Sequence, residues 1–290
     1  MKIAISGVTG FLGQYVQKEL EKYGHEIIGL SRKGKNSTNY TVESLDLFFK
    51  DVDAIIHLAA QRGSGGSISE YLENITLTQN IFEAARNNNI KNIVYASTIS
   101  VYKGGNHIYT ETDKAEPMTM YGISKYMGEL LGNYYNEKHN MYIKSLRLAH
   151  IFGFNEKNNY MINLFMRKAF NHETLEVLCQ SKAKREMIYA KDAAAGIRKA
   201  VEAKEISGTF NIGGQAALTN LEIAKIINRV MKNNNLKVGI EKESIISSYM
   251  SSRKADIKLK YQPQYSFEQA IEEIYKEMQK LKTVPIYIQR

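Results

Sequence analysis

The sequence predicts an α/β protein built on a doubly wound parallel sheet, followed by a smaller C-terminal α/β region. Three observations predict it. Short, fully apolar runs alternate with helical patterns through the first half; a glycine-spaced loop joins the first run to the first helix; and the alternation loosens after Gly153. Fully apolar, β-branched strands fit a parallel sheet covered on both faces, of seven strands or thereabouts.

The elements follow in order. "KIAI" reads as a strand, and Phe11 to Tyr23 as a helix ending at Gly24. "EIIGL", "DAIIHLAA" and "NIVYAST" are further strands, with a helix near Thr76–Asn88 between the last two. A long helical pattern from about Met120 to His139 leads into the strand "YIKSLRL". Beyond Gly153, helices are expected near Ile162–Phe170, Ala193–Ala203, Leu221–Val230 and Phe267–Lys282, with "GTFNIG" as a short strand. The expected division is a dinucleotide-binding unit at 1–155 and a mainly substrate-binding unit at 156–290, with 187–212 returning to the first.

The 290 residues can bury a large core, and the charged fraction of 24% is ordinary for a globular chain. One cysteine, Cys179, excludes an internal disulfide and suits a reducing compartment. "MKIAISGVTG" reaches glycines too early for a signal peptide, and no apolar run approaches the roughly 20 residues of a membrane helix. A cytoplasmic protein without a membrane partner is expected. The net charge of +9 lies mainly in the second half, but no dense Lys/Arg run with interleaved aromatics appears, so no nucleic-acid partner is predicted. The six histidines show no metal-ligand spacing, and His57 reads as a packed strand residue.

"SGVTGFLG" spaces Gly7, Gly10 and Gly13 as G-x-x-G-x-x-G directly after a strand and opening a helix. Chance placement of the chain's 20 glycines would give this spacing about 0.1 times. Gly7 permits a tight turn, Gly10 lets the backbone approach a pyrophosphate, and Gly13 lets the helix pack closely, which is the Rossmann dinucleotide-binding logic. The second strand ends in Ser31, Arg32 and Lys33 where an NAD-preferring site usually carries an acid. Arg32 can grip a 2′-phosphate, which leans towards NADP; the other reading is an exposed basic turn.

"YGISK" places Tyr121 four residues before Lys125. Spacing alone proves nothing: random placement of 19 tyrosines among the lysines gives about two such pairs, and the chain has two, the other being Tyr134/Lys138. The context separates them. Tyr121 opens a helical pattern, Lys125 follows one turn on, and the strand upstream ends in the hydroxyls of Ser97 and Thr98, at the sheet's carboxyl edge. A nearby ammonium and a cationic nicotinamide both favour the phenolate, so the phenol is expected to fall from about 10 towards working pH and to serve as general base or acid for an alcohol.

"GVTGFLG", "DAIIHLAA", "NIVYASTISVY", "YGISK", "LRLAHIFG" and "REMIYAKD" occur in an order that resembles an extended short-chain dehydrogenase/reductase of the nucleotide-sugar epimerase/dehydratase family. The resemblance covers nearly the whole chain. It implies Thr98, Tyr121 and Lys125 as the catalytic set, and cofactor contacts around Phe11, Leu12, Leu58, Ala59 and Ala60, with Ser31 and Ser97 joining the cofactor site. It also implies a nucleotide-diphosphate-sugar partner. "NNYM" resembles a stretch that touches the sugar nucleotide, which points to Asn159; Arg185 matches a diphosphate-binding arginine; His150 stands where the family usually has asparagine; and Arg253, in the compressed "SSRKADIK", is a weaker diphosphate candidate. No metal is expected, and a homodimer is the expected assembly.

Family dehydratases follow the hydroxyl residue with Asp-Glu, whereas here Ile99 and Ser100 follow Thr98, which argues against dehydration. The resemblance therefore implies a UDP-glucose or UDP-N-acetylglucosamine 4-epimerase using NAD or NADP. An NADPH-dependent ketosugar reductase is the alternative, and a non-catalytic NAD(P)-binding sensor ranks third.

Overall fold

A computed structural model describes residues 1–34, 36–63, 66–179, 181–241 and 246–281. The main sheet is formed by β1 (Lys2–Ser6), β2 (Glu26–Leu30), β3 (Ala54–His57), β4 (Asn92–Thr98), β5 (Tyr142–Leu148) and β9 (Gly208–Ile212). It has six strands in the order β2-β1-β3-β4-β5-β9, one fewer than seven, and every neighbour pair is parallel. The chain starts at β1, steps outward to β2 and returns across it to β3. That reversal opens a crevice at the carboxyl ends of β1 and β3.

Helices cover both faces. α1 (Phe11–Lys22) and α6 (Ala190–Glu202) lie on one, where Val16, Leu20, Ile197 and Val201 pack against Ile3, Ile5, Ile56 and Val94. On the other lie α2 (Val42–Phe49), α3 (Ile68–Asn87) and α4 (Met120–His139), where Leu45, Phe49, Ile81, Phe82 and Tyr135 pack against Ile55 and Ile93. The alternate sides of each strand thus feed two cores, which is why these strands read as unbroken apolar runs.

The second half holds a third core built from α5 (Met161–Phe170), α7 (Asn220–Met231) and α9 (Phe267–Leu281). The end expected for α9 at Lys282 lies outside the described residues. Beside this core runs a three-stranded sheet in the order β10-β8-β6, made by β6 (His150–Phe152), β8 (Lys184–Tyr189) and β10 (Ala217–Thr219). β7 (Leu175–Val177) and β11 (Leu236–Val238) form a small parallel pair, and α8 (Arg253–Leu259) completes the elements. Within 187–212, Met187–Tyr189 belong to the small sheet, while α6 and β9 pack on the main one. No helix among the described residues is long and apolar enough to cross a membrane.

Candidate active site

The loop after β1 is shaped by backbone contact. Gly7 has φ +75°, and a Cβ there would sit 2.7 Å from the Ala59 nitrogen. A Cβ on Gly13 would sit 2.3 Å from the Gly7 carbonyl oxygen, so the helix meets the loop only because both positions are glycine. α1 begins at Phe11 with Gly10 as N-cap, no side-chain cap and no acidic residue in its first turn. Its leading N–H groups therefore face outward without a side-chain acceptor, the arrangement that receives an anion.

These residues open onto a cavity of about 830 Å³ that runs from the glycine loop to the small sheet. Gly7, Gly10, Phe11, Leu12 and Gly13 form one end; Leu58, Ala59 and Ala60 form the adjoining wall. Ser97, Thr98, Tyr121 and Lys125 line it as well, as do His150 and Arg185 of the small sheet. His57 is excluded: buried under the strand, its ring bonds Ser6 Oγ at 2.8 Å and Thr78 Oγ1 at 3.0 Å, so it packs.

Thr119 caps α4, its hydroxyl accepting from the Gly122 N–H at 3.0 Å, which places Tyr121 in the helix's first turn and Lys125 one turn on. Lys125 is buried; its Nζ donates to the Ala96 carbonyl at 2.7 Å and lies 4.7 Å from the Tyr95 ring centroid. Burial pulls its ammonium down to about 7, with the Glu129 carboxylate pulling the other way. The Tyr121 phenol is shifted by its surroundings. Burial pushes it up to about 12, and the cation that opposes this is Arg62. The lysine is anchored on a carbonyl of β4, while the walls that desolvate the phenol come from distant segments. Tyr134, of the other Tyr/Lys pair, stands exposed on α4 away from the cavity.

Beneath this face, buried Glu129 accepts from Arg147 Nη2 at 2.7 Å and Nε at 3.0 Å, and from the Ser97 hydroxyl. Thr98 is buried, with Oγ1 accepting from the Ser100 N–H at 3.2 Å. At the outer rim, Ser31 and Arg32 line the cavity, and the Arg32 guanidinium forms an ion pair with Glu73 of α3.

The small sheet presents the far wall. His150 pairs with Met187 across β6 and β8, and Arg185 with Leu218 across β8 and β10. Burial, seconded by Arg185, pulls the His150 imidazole down to about 4, so it is neutral at ordinary pH. Its Nε2, together with Oδ1 of Asn163 and Oδ1 of Asn220, is buried without a hydrogen-bond partner among the described residues. All three side chains line this one cavity, and buried polar atoms normally have partners, so the cavity is built for a polar ligand.

Two expected residues lie elsewhere. Asn159 is turned onto Arg167, accepting from its Nη2 at 2.7 Å, and its neighbours Asn158 and Tyr160 line the cavity instead. Arg253 is exposed at the start of α8, outside the cavity. Residue reading missed Arg62, Glu73, Asn163 and Asn220, which reach the site from a loop or from helix positions with no motif around them.

Residues 3–213 match the model of the NAD dependent epimerase/dehydratase family. The chain belongs to this family. Among solved relatives is a UDP-N-acetylglucosamine 4-epimerase from Bacillus cereus, 46% identical, with TM-score 0.93 over 99% of this chain and 100% of that one. A UDP-glucuronic acid 4-epimerase from Bacillus cereus, solved in complex with NAD, is 22% identical, with TM-score 0.84 over 98% of this chain and 100% of that one, and so shares the fold. An uncharacterized UDP-glucose epimerase, YtcB, of Bacillus subtilis (strain 168) is 28% identical over 78% of this chain and 81% of its own.

Proposed function

We propose that the chain is a nucleotide-diphosphate-sugar 4-epimerase of the UDP-glucose/UDP-N-acetylglucosamine type. The observation that carries this reading is that one cavity joins an uncapped glycine-loop helix, the Thr98/Tyr121/Lys125 cluster and Arg185. The 46% identity to a UDP-N-acetylglucosamine 4-epimerase over nearly the whole chain supports it.

The residues at the first end fit a dinucleotide: the glycines leave backbone bare where a Cβ would collide, and the α1 N–H groups await a phosphate. When bound, NAD supplies the hydride acceptor at the sugar carbon. Tyr121 takes the proton from the C4 hydroxyl and later returns it, and Thr98 hydrogen-bonds the same oxygen. Arg62 lowers the phenol, and the protonated Lys125, held on Ala96 one helical turn on, would act in the same direction. Arg185 grips the substrate diphosphate, and neutral His150 and Asn158 supply hydrogen bonds around the sugar nucleotide.

NAD is favoured over NADP because Glu73 neutralises Arg32 and puts a carboxylate at the rim, where a ribose hydroxyl needs one. Arg32 itself is the one feature that favours the NADPH-dependent ketosugar reductase. A homodimer fits the row Ile123, Met127, Leu130 and Tyr134, exposed along one face of α4, with Leu72 exposed on the α3 it packs against. The free thiol of Cys179 suits a reducing compartment such as the cytoplasm.

The deciding experiment incubates the purified protein with NAD and either UDP-N-acetylglucosamine or UDP-glucose, with no reductant. Formation of the C4 epimer without net production of reduced nicotinamide supports the epimerase. Turnover of a 4-keto sugar nucleotide alone, with stoichiometric loss of NADPH, establishes the reductase instead.

A further inference from the structure

We propose that the Arg62–Glu156 ion pair sets sugar specificity: it occupies the guanidinium with a built-in carboxylate in the cavity that holds Tyr121, so the pocket takes uncharged hexoses and disfavours sugars bearing a carboxylate. This deepens the 4-epimerase reading and rests on it.

The pair is built from both halves of the chain. Arg62 lies in the loop after β3 and lines the cavity. Its Nη1 and Nη2 donate to Glu156 Oε2 and Oε1 at 2.9 and 3.3 Å, a two-pronged contact. Glu156 comes from the loop after β6, and its side chain is only 3% exposed against 52% for Arg62. That loop is fixed from behind by Arg167 of α5, whose Nη1 donates to the Glu156 carbonyl at 3.4 Å and whose Nη2 donates to the Asn158 carbonyl at 2.8 Å. The Asn158 N–H donates to Glu156 Oε1 at 3.3 Å. The carboxylate is thus held in place before any ligand arrives. Its burial is costly unless a cation meets it, and the Glu156 carboxylate in turn offsets the burial that acts on Arg62.

Arg62 and Tyr121 line the same cavity, and Tyr71 and Tyr160 also face Tyr121, the Tyr71 ring at 6.4 Å. Arg62 is the cation whose charge acts on the Tyr121 phenol, with Tyr160 and Tyr71 opposing it. A sugar whose C4 hydroxyl meets Tyr121 presents its other ring substituents to a cavity wall that includes Arg62. An unpaired guanidinium there would clasp a carboxylate on the sugar through two parallel N–H bonds. Chelated by Glu156, it keeps donors only for hydroxyl or amide oxygens, and Glu156 itself repels a second carboxylate.

The test measures binding, with NAD present, of UDP-glucose and UDP-glucuronate to the wild type, Glu156→Asp, Glu156→Gln and the double variant Arg62→Gln/Glu156→Gln. The wild type and Glu156→Asp should favour UDP-glucose by the same ratio. Glu156→Gln, which keeps shape but frees the guanidinium, should shift the ratio towards UDP-glucuronate roughly tenfold. The double variant, in which neither charge remains, should lose that shift. Equal weakening of both ligands in Glu156→Gln would make the pair a mere loop tie and overturn the inference while leaving the 4-epimerase reading intact. A wild type preferring UDP-glucuronate would overturn it as well, and a wild type that binds neither sugar nucleotide would remove the inference together with the reading beneath it.

Discussion

The Glu129→Gln variant removes one charge from beneath the Tyr121–Lys125 face of α4 while keeping the side chain's shape. Positions 121, 125 and 129 follow at one-turn intervals, so the carboxylate and the Lys125 ammonium are neighbours on one helix face. At a separation of about 6 Å and an effective dielectric of about 20, their attraction is about 3 kcal/mol, roughly a hundredfold in a protonation equilibrium. Burial already draws Lys125 down to about 7, and Glu129 is the charge that opposes it. Without Glu129, and with Arg147 still in place, the lysine loses its proton at lower pH. The alkaline limb of the kcat profile should therefore move to lower pH. Stability should also fall, by about 3–5 kcal/mol, because Arg147 is left buried without its carboxylate. Both residues are almost wholly buried, so solvent cannot take the partner's place. The double variant Glu129→Gln/Arg147→Met separates the two effects. Removing both charges should recover most of the stability, less the 2.7 Å bond from Arg147 to the Tyr102 hydroxyl, while the alkaline limb stays displaced. Urea midpoints and the pH dependence of kcat read the two quantities. A Glu129→Gln variant with the wild-type alkaline limb would refute the claim that Glu129 maintains the charge on Lys125.

Three other perturbations probe separate parts of the site. Tyr121→Phe should lower kcat by roughly 10²–10⁴-fold and leave NAD affinity nearly unchanged, as read by epimer formation and nucleotide titration; retention of more than a tenth of the activity counts against Tyr121 as the proton-transfer group. Glu73→Gln frees Arg32 and should raise NADPH affinity relative to NADH severalfold, whereas an unchanged ratio in direct titrations would make that exposed pair incidental. Burial lifts the Glu186 carboxyl from 4.5 to about 7, so the folded state holds this proton more tightly than the unfolded chain. Its contribution is fully present below the unfolded value and is lost as pH rises through about 7. Thermal midpoints of the wild type should fall across that window more steeply than those of Glu186→Gln, and equal slopes would contradict the assignment.

The main sheet was legible because four of its strands are buried on both faces, and three of them centre on unbroken apolar runs, at residues 3–5, 54–56 and 93–96. The glycine loop was legible because a Cβ at Gly7 or Gly13 collides with backbone, leaving the sequence no alternative at those two positions. α3 starts eight residues before the expected Thr76, and the reason is chemical. Its buried face includes Asn74 and Thr78, polar residues that satisfy Gln61 and His57, so the apolar period breaks there. The small sheet was illegible because β6 and β10 are three residues each, too short for alternation to show. Asn159 and Asn158 differ by one position. Which of two adjacent asparagines faces a pocket depends on where Arg167 grips the loop, and no local pattern reports that. The burial that raises the Tyr121 phenol was illegible for the same kind of reason. Helical spacing gives its neighbour on the helix, but desolvation depends on walls contributed by segments far apart in sequence.

The cavity's charges can be followed one guanidinium at a time. Arg32 is met by Glu73 at the rim, and Arg62 by Glu156 near Tyr121. Arg185 lines the same cavity and forms no ion pair among the described residues. Its positive charge acts on His150 strongly enough to help keep that ring neutral. The other anion-receptive feature is the uncapped start of α1, at the opposite end. A pocket that offers both the uncapped start of α1 and the Arg185 guanidinium suits two ligands that each carry a diphosphate. That arrangement serves an enzyme that must let an oxidised sugar present either face to the same hydride donor. With Arg62 paired to Glu156, a sugar at that wall meets hydrogen-bonding groups and, among the described residues there, no unpaired guanidinium where it must turn.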